Sequence, residues 1–361
     1  MTALAVVAGL DYGKFPYPEV AFDPVFQLER VFVSAEKHHS PVPKVFFLGD
    51  SLSMGPEGIQ NAPGFVGWQL KRELRRRLVG NDQVDLWQFV TSGISLYTYY
   101  FLAARMIEAK PRQIVVQLNL FWFFDDWHSQ VDRTAFAAWL PFSWWPEAAG
   151  LSLHKTGLKA DQAIMARLLS GTWAERASHS LQRQQVRAQR WRDAVELNVQ
   201  GERLANGQIP YRFVARGQFM SSQKIKERAT LEAALERYGP ALQGVESDHS
   251  LLLLLDAFVS RFADAGIDVV AYVPPHNMRH LAKLGISDFS GIEASIDQLA
   301  WILERHGGKL VDLHDLLPDA GFRDHLDHYV NSTYVPSPRM IARRLTAELL
   351  PRLRNKPQAQ D

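Results

Sequence analysis

Five short apolar runs, each separated from the next by a stretch of helical spacing, constrain this chain more than any other feature. Residues 44–48 read KVFFL and end at Gly49. A run that is apolar on both of its faces is buried on both sides, as in a parallel sheet covered by helices. Residues 64–79 follow with Phe65, Trp68, Leu70, Leu74 and Leu78 on a helical period. A second strand is expected at 84–90, a helix at 96–109 stopped before Pro111, and a third strand at 113–119 (QIVVQLN). The alternation resumes with a helix at 251–265 that ends on Gly266, a strand at 267–273 closed by Pro274 and Pro275, and a helix at 292–306. A fifth strand at 309–313 and a closing helix at 338–353 complete the pattern. Strands alternating with helices predict an α/β fold with a five-stranded parallel sheet covered on both faces. Ligands of such sheets sit at the carboxyl ends of the strands.

Two stretches break the alternation. Residues 126–245 are rich in Ala, Gln, Arg and Trp and read as a mostly helical insertion or cap. Residues 1–40 read as an N-terminal extension, leaving 41–125 and 246–355 as one discontinuous α/β domain. The apolar run at 3–10 is too short to span a membrane and lacks a basic start, which leaves a docked terminus or the remnant of an anchor. Formal net charge is +1, so the chain carries no basic field for nucleic acid, and the arginines between 183 and 192 read as a solvated helix face. It has no cysteine, which excludes disulfides, thiolate catalysis and Cys-ligated zinc.

The sharpest chemical signal is Gly49-Asp50-Ser51-Leu52, directly after the first strand. A serine hydroxyl is a weak nucleophile that needs a base, placement and oxyanion donors. A turn at a strand end supplies the placement. Gly93 follows the second strand in TSGIS, and Asn119 ends the third. Each alone is an ordinary turn residue, yet all stand at carboxyl ends of strands.

With these residues the chain resembles the SGNH, or GDSL, hydrolase family, over 41–125 and 246–355. VFFLGDSLSMG is similar to the family's first block, which carries the nucleophile. The resemblance implies a flavodoxin-like three-layer α/β/α sandwich. It also implies an oxyanion hole made by the N–H groups of Ser51 and Gly93 and the side-chain amide of Asn119. The family's third block is Gly-x-Asn-Asp, whereas this chain has Gln117-Leu118-Asn119-Leu120. Its last block is Asp-x-x-His, whereas this chain has FRDHLDHY at 322–329. Asp324 lies four residues before His328 and can share a face with it, which favours His328 as base and Asp324 as its partner. His325 as base and Asp327 as partner stay open. Asp125, Asp126 and His128 read as a loop rather than a metal site, and no metal or organic cofactor is expected.

Trp122, Trp127, Trp139, Trp144 and Trp145 are half of the ten tryptophans, and aromatic faces stack on sugars. Their alternative is the core of the insertion. The segment YVPPHN at 272–277 resembles that of envelope acyl-transfer relatives, which makes His276, with Trp122, a candidate substrate contact. The resulting expectation is a serine esterase or O-acyltransferase acting through an acyl-enzyme on an acylated carbohydrate or similar ester. A periplasmic or cell-envelope location is favoured, with membrane-associated polysaccharide machinery as the expected partner. The alternative is a catalytically inactive glycan-binding or polysaccharide-assembly protein on the same fold.

Overall fold

The computed structural model describes residues 41–50, 52–53, 65–78, 83–90, 96–123, 231–247, 249–322, 329 and 336–355, with scattered positions from 28 to 38. Five strands form one all-parallel sheet: β1 (Lys44–Gly49), β2 (Asp85–Val90), β3 (Gln113–Gln117), β4 (Asp268–Val273) and β5 (Lys309–Asp312). Their order, β2-β1-β3-β4-β5, is that of flavodoxin-like doubly wound folds. The helices are α1 (Val66–Arg77), α2 (Leu96–Glu108), α3 (Leu231–Gln243), α4 (Ser250–Asp264), α5 (Met278–Lys283), α6 (Ser290–Arg305) and α7 (Ser337–Asn355).

Because side chains alternate along a strand, each run splits into two buried sets. Val45, Phe47, Val115, Val270 and Tyr272 face one layer, where α1 packs on α7 and Leu70, Leu74, Ile341, Leu345 and Leu349 close the core. Phe46, Leu48, Ile114, Val116 and Ala271 face the other, covered by α2, α4 and α6. The three-layer α/β sandwich expected from the alternation is the fold observed. At its amino edge Asp268 is nearly buried, and Arg352 of α7 grips it with two bonds of 2.9 and 2.8 Å.

The boundaries differ in instructive places. β3 stops at Gln117, two residues before the expected end, because the Asn119 side chain caps a short 3-10 turn at Leu120–Phe123 through Phe121 N–H (3.1 Å). Helix α3 falls in the segment read as an insertion, and it packs against α6, with Tyr238 and Ala241 in the core. In the segment read as an N-terminal extension, Leu28, Phe32 and Ala35 are helical and buried in the same core.

Candidate active site

Strand order places a crevice between the carboxyl ends of β1 and β3, because the chain leaves these neighbours toward opposite edges of the sheet. The register brings these ends level. Leu48 is opposite Val116, Gln117 opposite Tyr272, and Val273 opposite Asp312.

At the end of β1 the chain turns. Ser53 N–H donates to the Asp50 carbonyl (3.1 Å) and Leu52 N–H donates to Asp50 Oδ1 (2.8 Å). Asp50 thus closes the turn across residue 51 with its backbone and with its side chain, as aspartates do in Asx turns. The carboxylate is nearly buried and collects two more donors from the end of β3. Gln117 Nε2 approaches Oδ1 at 2.5 Å, and Asn119 Nδ2 approaches Oδ2 at 2.9 Å. A buried carboxylate with this many donors keeps its solvation without water.

A second set of bonds backs the first. Ser53 Oγ donates to Gln117 Oε1, and the Tyr272 hydroxyl lies 2.8 Å from Ser53 Oγ and 3.2 Å from Gln117 Oε1. Burial, opposed by the Ser53 bond and reinforced by the Asp50 charge, pushes the Tyr272 hydroxyl far above its ordinary value. Tyr99 of α2 donates to the Gly49 carbonyl (2.8 Å) and, less closely, to that of Phe89 (3.1 Å). Burial first, then the Asp50 charge, raises its pKa as well. Both phenols are therefore donors throughout the physiological range. Gly49 has no room for a side chain: a Cβ there would stand 2.5 Å from Ser53 Oγ.

Further along the same edge, Asp312 at the end of β5 pairs with His314 just beyond it, His314 Nδ1 lying 2.8 and 2.9 Å from the two carboxylate oxygens. The Asp312 bond is the main cause of the raised His314 pKa. Burial works against the Asp312 charge, but the His314 bonds outweigh it and hold that carboxyl below its ordinary range. Sequence reasoning missed this pair, although Asp-x-His directly after a strand was its available signal. Gln117, Ser53 and Tyr272 were missed as well, and nothing in their local sequence marks them.

Of the residues singled out in the sequence, Asn119 stands in the crevice, joined to Asp50. His276 is buried, its ring edge-on to Phe121 (5.5 Å) and Tyr238 (6.3 Å), and its backbone N–H donates to the His314 carbonyl (2.9 Å). Trp122 has no exposed surface and packs beside Tyr99, with centroids 6.4 Å apart. An indole so enclosed packs as part of the core. Ser51, Gly93, Asp324, His325, Asp327 and His328 lie outside the described residues, as do Asp125, Asp126, His128, the other four clustered tryptophans and the arginines of 183–192.

Among the described residues no three acidic or histidine side chains converge as a metal site. A cavity of about 390 Å³ opens at the opposite, amino edge, lined by Gly266, Asp268, His306, Gly307 and Arg352. It lies far from the strand ends that carry the polar crevice. Arg352 there is already committed to Asp268 and to the Gly307 carbonyl. The chain matches no protein-family model, and no curated protein matches it.

Proposed function

We propose that the chain is an SGNH-type serine hydrolase or O-acyltransferase with Ser51 as nucleophile. The observation that carries this reading is the 2.9 Å bond from Asn119 Nδ2 to Asp50 Oδ2. It joins the residue before the proposed nucleophile to the proposed oxyanion donor across the crevice between β1 and β3. The bond uses one amide hydrogen of Asn119 and leaves the second for an oxyanion. In this reading Ser51 Oγ attacks an ester carbonyl and His328, oriented by Asp324, takes its proton. The N–H groups of Ser51 and Gly93 join the Asn119 amide in holding the tetrahedral oxyanion. Collapse expels the alcohol, which receives the proton from His328, and leaves an acyl-enzyme. Water or a sugar hydroxyl then attacks that ester. An acylated carbohydrate of the cell envelope remains the proposed substrate, on the resemblance and on the tryptophans at 127, 139, 144 and 145.

A fluorophosphonate probe tests the reading. Wild type should label at Ser51, Ser51→Ala should not label and should fold normally, and His328→Ala should label several orders of magnitude more slowly. Equal labelling of wild type and Ser51→Ala would exclude the nucleophile. A folded wild type that never labels would favour the non-catalytic glycan-binding alternative.

A further inference from the structure

We propose that Gln117 is a positioning residue that sets the Asp50 turn, and through it residue 51, at the end of a one-way hydrogen-bond relay from Tyr272 through Ser53. The proposal rests on the reading of Ser51 as nucleophile for its catalytic consequence, but its geometry stands on described residues alone.

The direction of the relay follows from what each group can give. A carboxylate accepts only, so the Gln117 atom 2.5 Å from Asp50 Oδ1 must be the amide nitrogen. The amide oxygen then faces Ser53 and Tyr272, and a hydroxyl bonded to it must be the donor. Ser53 has one proton and spends it on Gln117 Oε1. Tyr272 is left to donate to Ser53 Oγ, its closer acceptor at 2.8 Å. All of the side chains involved are buried, so water does not substitute for a lost member. Two of Asp50's donors come from the end of β3 and the residues just after it, but Asn119 is also bound to its own 3-10 turn. Gln117 has no such local tie. It occupies the place where the resembling family carries glycine, and it fills that space with an amide whose two ends are fixed by different strands.

An amide can be replaced by its near-isosteric acid, and this yields a test that a merely structural role would not pass. Among the described residues, the titratable groups facing position 117 or its Asp50 partner are Asp50 from the turn after β1, Tyr272 from β4 and Tyr99 from α2. Both phenols stay protonated, so among the described residues Asp50 sets the response. In Gln117→Glu a protonated carboxyl keeps the bond to Asp50. Once ionised, it faces a like charge at hydrogen-bond distance. The pair then shares one proton up to a raised pKa.

Two readouts are compared for wild type, Gln117→Leu, Gln117→Glu and Tyr272→Phe, each normalised to wild type at the same pH. The first is hydrogen exchange of the peptide spanning residues 48–53, which reports the turn without any chemistry at Ser51. The second is the rate of fluorophosphonate labelling. Gln117→Leu should expose the turn amides and slow labelling roughly 100-fold, the size expected for an ångström-scale misplacement. Gln117→Glu should match wild type at pH 5 and fall to the Gln117→Leu level as the pH rises to about 9, the upper range for a buried carboxyl. Tyr272→Phe, the mildest change, should show a loss of about tenfold without pH dependence, which keeps the test decisive if Gln117→Leu does not fold. Unchanged exchange in folded Gln117→Leu and Tyr272→Phe, or a pH-independent Gln117→Glu, would overturn the relay. Altered exchange in a protein whose wild type never labels would remove the nucleophile reading and leave the turn-holding role of Gln117 standing.

Discussion

At the scale of single residues, Gly49 carries a constraint that its position in a strand conceals. It needs no unusual backbone, yet the side chain it lacks would overlap the relay, 2.5 Å from Ser53 Oγ and 2.8 Å from Ser53 Cβ. Ser53 has little freedom to yield, because its hydroxyl is bound to Gln117 and Tyr272 and its N–H to Asp50. Gly49→Ala is therefore expected to cost roughly 1–3 kcal/mol, the range for overpacking a close-packed interior. Urea denaturation measures it, and a variant as stable as wild type would show that the turn shifts freely. The sequence marked Gly49 as a turn signal, which is correct but incomplete. Its steric role depends on Gln117 and Tyr272, lying 64 and 219 residues from Ser53, and only the folded sheet brings them together.

At the scale of elements, the strands were legible because burial on both faces leaves a continuous apolar signature, and all five ended within two residues of their expected bounds. Short polar pieces were not. Helix α5 has six residues between a Pro-Pro pair and Gly285, and its one local mark is Asn277, whose side chain accepts His280 N–H at 3.2 Å. The Asp312–His314 pair at the end of β5 carries a pH-dependent share of stability. The His314 pKa is raised, so its share is complete below the ordinary value of 6.5 and fades as pH climbs through the raised one. The Asp312 pKa is lowered, so its share is complete above the ordinary 3.8 and fades as pH drops through the lowered one. The pair contributes fully between about pH 4 and 6.5. The stability gap between wild type and His314→Gln should be largest near pH 5.5 and should shrink toward pH 9, as thermal melts across that range would record. A gap that grows with pH would contradict the pairing.

At the scale of the whole molecule, both edges of the sheet are held by buried polar groups. The carboxyl edge has the Asp50 cluster, and the amino edge has Asp268, held by Gln113 (2.6 Å) and Arg352. Arg352→Met would strand a nearly buried carboxylate, and Arg352 itself is partly exposed, so the loss should be roughly 2 kcal/mol rather than the larger cost of a fully buried pair. Recovery of that stability in Arg352→Met combined with Asp268→Asn would confirm that the unpaired charge is the cause. The same clasp fixes α7, the last described element, which also packs on α1 and covers one face of β1, β3 and β4. A growing chain exposes β1 roughly 290 residues before that helix emerges, a delay of roughly 15–60 s at the usual pace of 5–20 residues per second. Phe47 waits that whole interval without a lid, Leu70 and Val115 most of it, and Tyr272 only the last stretch of roughly 65 residues. Translation order thus leaves one face of this sheet open to aggregation until α7 leaves the ribosome.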